Sequence, residues 1–384
     1  MNPTSLPFEY PFQWDNESLR EGAGVTPEGA AILKQRDRDL EDYLSTLGLP
    51  WVIVAAANAP DRWKDAAGEY VCVGANDDAM VQAAVTAAGT DTVLLSPGTF
   101  NFDGPVVNLA NKSILGAGWW NTYVNVAGIT AFTLNNGSIE GVQFNQTSAG
   151  AKGVFARADC LVRACWFSDL DTAVMAGPTS IVESCFFSYF GVGVDVDGRE
   201  VTVTSCTFDA DSRADNTALK SINATYGLTV TGCQFRDFTS SGAYAGQVFK
   251  LDSCRDFNIA DNGFTDCADY AVLRASATTG GQFANNNIDR PFLIDLSGTD
   301  SLSVLNNTCP VQAGTCTIRT STASLPIIRG NLLGGTTSTL TIGVSTSKAV
   351  VSDNYLHPGA GGYTDSGTGT MKPTNSNYSN GGLW

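Results

Sequence analysis

From Ser138 to His357 one pattern of apolar and polar positions recurs: an apolar residue, two spacers, Cys or Asn, any residue, and a second apolar residue. The Cys copies are Val162-Arg-Ala-Cys165-Trp-Phe167, Val182-Glu-Ser-Cys185-Phe-Phe187, Val203-Thr-Ser-Cys206-Thr-Phe208 and Val230-Thr-Gly-Cys233-Gln-Phe235. The Asn copies centre on Asn262 (Ile259, Phe264), Asn286 (Phe283, Ile288), Asn307 (Val304, Cys309), Asn331 (Ile328, Leu333) and Asn354 (Val351, Leu356). An earlier copy has Val142 in the slot (Ile139, Phe144), and a weaker one has Ala117 (Ile114, Trp119). The mean interval between slots from Cys165 to Asn354 is 23.6 residues. A fixed period in this range marks a solenoid.

The flanking residues predict strands. In Val201-Thr-Val203, Leu228-Thr-Val230 and Leu302-Ser-Val304 apolar and polar residues alternate, as in a half-buried strand. The step from anchor to slot is three, which would flip the facing of everything after it unless the chain turns there. Each unit therefore holds two short strands with a corner between them. A third alternation lies between units, as in Val192-Gly-Val194-Asp-Val196 and Leu340-Thr-Ile342-Gly-Val344. Three strands per coil predict a parallel β-helix. Stacked at roughly 4.8 Å, ten coils make a rod about 50 Å long. A leucine-rich repeat lacks support, because its Leu frame and per-repeat helix are missing. The row Cys165, Cys185, Cys206, Cys233, Asn262, Asn286, Asn307, Asn331 and Asn354 is read as one structural corner row. Asn can donate to one neighbour and accept from the other, and Cys is a small apolar filler. No Cys-x-x-Cys pair and no nearby His suggest a metal, so none is expected.

Outside the repeat the pattern changes. Residues 1–25 have no periodicity but hold four aromatics in Phe8-Glu-Tyr-Pro-Phe-Gln-Trp14, which favours a docking arm over a merely disordered one. Thr26-Pro27-Glu28 starts a helix that ends near Leu47. Its Leu33, Leu40, Leu44 and Leu47 form a stripe suited to packing on the rod or, preferably, to a bundle between protomers. Residues 26–69 are thus a helix and connector. A second helix, capped by an Asp, is expected from Asp77 to near Gly89. The β-helix body is placed at 70–357, and the Gly/Ser/Thr/Asn-rich stretch 358–384 reads as an extended tail.

The order Gly74…Asp77-Asp78…Gln82-Ala-Ala-Val85…Val93-Leu-Leu-Ser-Pro-Gly-Thr-Phe100…Ile114-Leu-Gly-Ala-Gly118 resembles the opening segment of the pectate-lyase-like superfamily. That superfamily includes phage tailspikes. The resemblance spans roughly residues 70–356 and implies an all-β, right-handed parallel β-helix with a helical cap, in which Asp77 and Asp78 start the helix rather than catalyse. It also implies a homotrimer. Gln35-Arg-Asp-Arg-Asp-Leu-Glu-Asp-Tyr-Leu44 resembles a segment of minor tail proteins of phages infecting actinobacteria. That short likeness implies a virion protein, assembled in the host cytoplasm and joined to other tail proteins through its N-terminal arm.

Charge narrows the partners. The net charge is −16, with a pI near 4.3. A nucleic-acid binder needs a basic footprint, and an anionic membrane would repel this surface; neither is expected as a partner. Met1–Tyr10 lacks the basic and apolar regions of a secretory signal. The ten cysteines are therefore expected as free thiols, with disulfides disfavoured even between stacked corners.

The candidate chemistry is sparse, and no cofactor is expected. The clustered Asp, Gly-His-Gly and Arg-x-Lys motifs of polygalacturonase-like members are absent, and the only histidine, His357, stands beside Pro358. Lys152, Lys220, Lys250 and Lys348 stand apart in the sequence. Two carboxylate pairs remain as catalytic alternatives, Asp195 with Asp197 and Asp209 with Asp211, the latter followed by Asp215. Both are more simply read as turn-forming and solvating. The residue between slot and second anchor should point outward, and there stand Trp166 and Phe186, with Tyr189 and Phe190 just beyond. An outward aromatic patch marks an interface: a trimer seam by preference, otherwise a platform for a host-envelope glycan. The leading reading is a structural phage tail protein (minor tail protein, fibre or tailspike) acting in host attachment. The alternatives are a polysaccharide lyase or glycosidase on the same fold, and a non-catalytic glycan-binding module.

Overall fold

The computed structural model describes residues 51–384 except 88–91, 212–215, 222–224, 239–246, 268–269, 291, 313–314, 336–337, 357–361, 373–377, 380–381 and 384. The aromatic arm, the Leu-striped helix, Asp215 and His357 lie outside the described residues. The chain divides into Met1–Pro50 and Trp51–Trp384. The second unit is an all-β parallel solenoid of about 11 turns with very little helix.

Among the described residues three sheets form it, numbered in the order the chain visits them within a turn. The first has 13 strands and holds the anchors, the second has 14 and follows the slot, and the third has 12 and returns the chain. Each strand pairs in parallel with its equivalent one turn on, so Val162 lies beside Val182, Val182 beside Val203 and Val203 beside Val230. The repeat spacing of the sequence is thus the register of the sheets.

The corner between anchor and slot has a simple cause. The residue before each slot takes a left-handed backbone: Ala164, Ser184, Ser205, Gly232, Asp261, Asn285, Asn306, Gly330 and Asp353 all have φ between 47° and 70°. One such residue absorbs the odd step and keeps both anchors inward. Six of the nine are Gly, Asn or Asp, the residues that tolerate this conformation best.

Two buried columns then run through the stack. Phe144, Phe167, Phe187, Phe208, Phe235 and Phe264 form a spine of stacked rings with centroids 4.4–5.1 Å apart. Burying each ring stabilises the fold by about 1.5–3 kcal/mol. The corner row is the second column. Asn286, for example, donates from Nδ2 to Ile259 O (3.1 Å) and to Asn307 Oδ1 (3.0 Å). Its own Oδ1 accepts from the backbone N–H and the Nδ2 of Asn262. The same pattern runs to Asn354, so a buried amide at the corner loses no hydrogen bond. In the Cys half, each Sγ lies over the anchor carbonyl of the preceding turn, 3.6 Å for both Cys185–Val162 and Cys206–Val182. All four thiols are buried.

The helix Asp77–Thr86 packs on the opening strands through Val81, Ala84 and Val85. It ends earlier than the sequence suggests, and its N-cap is Asn76, which makes no side-chain capping bond. Asp77 instead accepts from Gly74 N–H and Asn101 N–H, tying the helix start to the second sheet. At the other end, Tyr363–Asp365, from the stretch expected as a tail, joins the third sheet beside Leu340–Ile342.

Candidate functional site

Outward residues of the second sheet form a column set by its register: Tyr123, Gln143, Trp166, Phe186, Thr207, Gln234 and Gly263. Trp166 and Phe186 therefore stand on adjacent strands, with ring centroids 5.5 Å apart. The indole N–H of Trp166 donates to Ser188 Oγ at 2.9 Å, which fixes the ring. Trp120 and Trp119 close on it from one side, at 4.8 Å and 6.5 Å. Trp120 is 55% exposed. Amide side chains border the cluster: Asn125 donates to Asn101 and Gln143 to Asn145. Further along the same sheet, Gln234, Gly263, Thr265, Asn287 and Asp289 line a shallow depression of about 440 Å³.

The outward aromatics expected from the repeat do not include Trp119 and Trp120. The weak copy places Trp119 inward, but its inward role belongs to Val124, which pairs with Phe144. An extra turn at Ala117–Asn121 delays the strand to Thr122–Ala127 and throws both indoles outward. Two Trp residues between Gly118 and Asn121 were the available signal, since a Gly-Trp-Trp-Asn run is a turn, not a strand.

Phe190 requires a correction. It is fully buried, not a surface aromatic, and meets the Phe187 and Phe208 rings edge-on at 6.3 Å and 6.1 Å. Tyr189 before it is left-handed at φ 52°, so the step of three from Phe187 to Phe190 turns a second corner inward. Tyr189 itself is exposed, and its hydroxyl is raised above its ordinary range by the Asp211 carboxylate, through hydrogen bonding and charge.

The carboxylate pairs fall on different sheets. Asp209 ends the second-sheet strand Thr207–Asp209, and its Oδ1 accepts from Asp211 N–H at 3.1 Å, the geometry of a turn. Asp195 lies on the third sheet, with Asp197 exposed just past the strand end. Here the register brings together two of the four lysines that stand apart in the sequence, Lys220 and Lys250. Asp195, Lys220, Lys250, Arg274, Asp295 and Arg319 occupy one column on consecutive turns. Lys220 approaches Asp195 at 4.0 Å, and Arg319 pairs with Asp295 at 2.8 Å. Burial raises the Asp195 carboxyl above the usual range; Lys220 opposes this and Asp197 adds to it. A partly desolvated acid beside a cation can hold a proton or orient a hydroxyl.

No family model and no curated protein sequence matches the chain. Solved structures do. The A-module of the Azotobacter vinelandii mannuronan C-5 epimerase matches with TM-score 0.53 at 14% identity, over 78% of this chain and 96% of that one. A DFA-IIIase from Arthrobacter chlorophenolicus A6 matches with TM-score 0.57 at 14% identity, over 79% and 94%. The Dettilon tailspike protein matches with TM-score 0.51 at 12% identity, over 85% and 70%. These neighbours are pectate-lyase-like β-helix proteins, a tailspike among them, and at this identity the likeness is one of fold.

Proposed function

We propose that the chain is a tailspike-type tail protein that recognises a host-surface glycan along the flank of its solenoid. The carrying observation is the Trp119–Trp120–Trp166–Phe186 cluster with its amide border. Sugar rings stack their C–H faces on aromatics, and amides take their hydroxyls. The tailspike and the two carbohydrate-named enzymes among the structural neighbours support this reading. In it the rod is right-handed, as parallel crossovers nearly always are, with the helix Asp77–Thr86 closing its end. It works as a homotrimer in the virion, joined to the tail through residues 1–25. Calorimetric titration with purified bacterial surface polysaccharides, neutral and uronate-bearing, tests it. Trp120→Ala is expected to weaken binding about tenfold, the equivalent of ~1.4 kcal/mol; unchanged affinity removes the cluster from the reading.

A second reading rests on Asp195. Its raised carboxyl in a column of cations suits a polysaccharide-cleaving enzyme of the third sheet. New reducing or unsaturated ends on incubation with the same polysaccharides, abolished by Asp195→Asn, would establish it. Persistence of cleavage in that variant would place the chemistry elsewhere.

A further inference from the structure

Two thiols meet outside the corner row. Cys309 ends up inward on the second-sheet strand Thr308–Gln312, at the place that Leu333 takes one turn later. Cys316 precedes the third-sheet strand Thr317–Thr320. Both are buried. Their sulfurs are 3.0 Å apart, with Cys316 as donor. That is closer than the roughly 3.5–4.0 Å at which non-bonded heavy atoms settle, and about 1 Å from the length of a disulfide bond.

The neighbouring turn shows why this contact is local. There the equivalent pair is Ser338 and Leu333, and Ser338 Oγ donates to Leu333 O at 2.8 Å. The replacement of that pair by two cysteines brings thiol against thiol across the same corner. A Cys where other turns carry Phe264, Ile288 or Leu333 also leaves room for the second sulfur. The corner-row thiols also neighbour one another, but Cys165, Cys185 and Cys206 each lie 3.3 Å from the carbonyl two residues before them.

We infer that Cys309 and Cys316 are a disulfide-forming pair that closes under peroxide. In the reaction one thiolate attacks hydrogen peroxide, giving a sulfenic acid and, after proton transfer, one water. The second thiol then displaces hydroxide from that sulfur, forming the S–S bond and, with its proton, a second water. Two thiols are oxidised and one peroxide is reduced. The cross-link ties the end of a second-sheet strand to the start of a third-sheet strand, beside the Asp295–Arg319 pair.

The test uses the full-length protein, treated with hydrogen peroxide, then denatured and alkylated with N-ethylmaleimide. Eight adducts are expected instead of the ten of the reduced chain. The tryptic peptide spanning both residues should carry no adduct and be lighter by two hydrogens than its reduced form. The Cys309→Ser variant should keep all nine of its remaining thiols. Ten adducts on the treated wild type, or loss of thiols mapping to Cys165–Cys233 instead, would overturn the assignment.

Discussion

At the scale of single residues, the slot shows how one position accepts two chemistries. Asn262 Oδ1 already accepts from Cys233 N–H, so the amide ladder stops one residue short of a site that could extend it. Cys233 Sγ lies 3.8 Å from Val203 O, the carbonyl an amide there would use. Cys233→Asn is expected to change stability by no more than about 1 kcal/mol, its amide bonds to Val203 O and Asn262 Oδ1 offset by the burial of a polar and slightly larger side chain. Asn307→Cys is expected to cost about 2–4 kcal/mol, because it leaves two buried N–H groups of Asn286 without an acceptor. Chemical denaturation of the two variants checks the asymmetry, and equal costs would mean that the row is only a volume filler. Phe190 belongs to this scale too. The odd step that reveals the slot corner also separates Phe187 from Phe190, so its burial was legible in the sequence by the rule used at Cys185. The left-handed Tyr189 disguised it, because a bulky aromatic is a rare occupant of that conformation.

At the scale of strands, register decides what spacing along the chain conceals. Lys220 and Lys250 are thirty residues apart in sequence and Cα partners in the third sheet. The turns differ in length, so a search for neighbouring charges along the chain misses the column. Aligning each third strand on its last inward residues would have found it: Asp195, Lys220, Lys250, Arg274, Asp295 and Arg319 share one place in six strands. The column makes stability depend on pH through Asp195. Its folded carboxyl is raised above 3.8 chiefly by burial. The folded state therefore holds that proton more firmly, so this stabilising contribution is complete below the unfolded value and is lost as pH rises through the raised folded value. Asp195→Asn removes the loss. The melting temperature of the variant should gain on that of the wild type as pH rises from the ordinary carboxylate range upward. A constant difference over that range would show that Asp195 is no more desolvated than an ordinary surface acid.

At the scale of the molecule, three strands per coil, the corner and the stack of repeats were all readable, because each turn must satisfy the same inward pattern as its neighbour. The outer surface was not, since outward positions answer to no such constraint. The indoles of Trp119 and Trp120 reach Trp166 only through an inserted turn, and the aromatic face is the element on which the functional reading stands. A seam between copies and a glycan platform make opposite demands on it. The most direct measurement is one titration of surface polysaccharide into wild type and a Trp120→Ala/Trp166→Ala double variant, with light scattering on the same samples. Glycan recognition predicts that the double variant loses binding while its molar mass is unchanged. Dissociation of the variant with binding intact would contradict it and make the face a subunit seam.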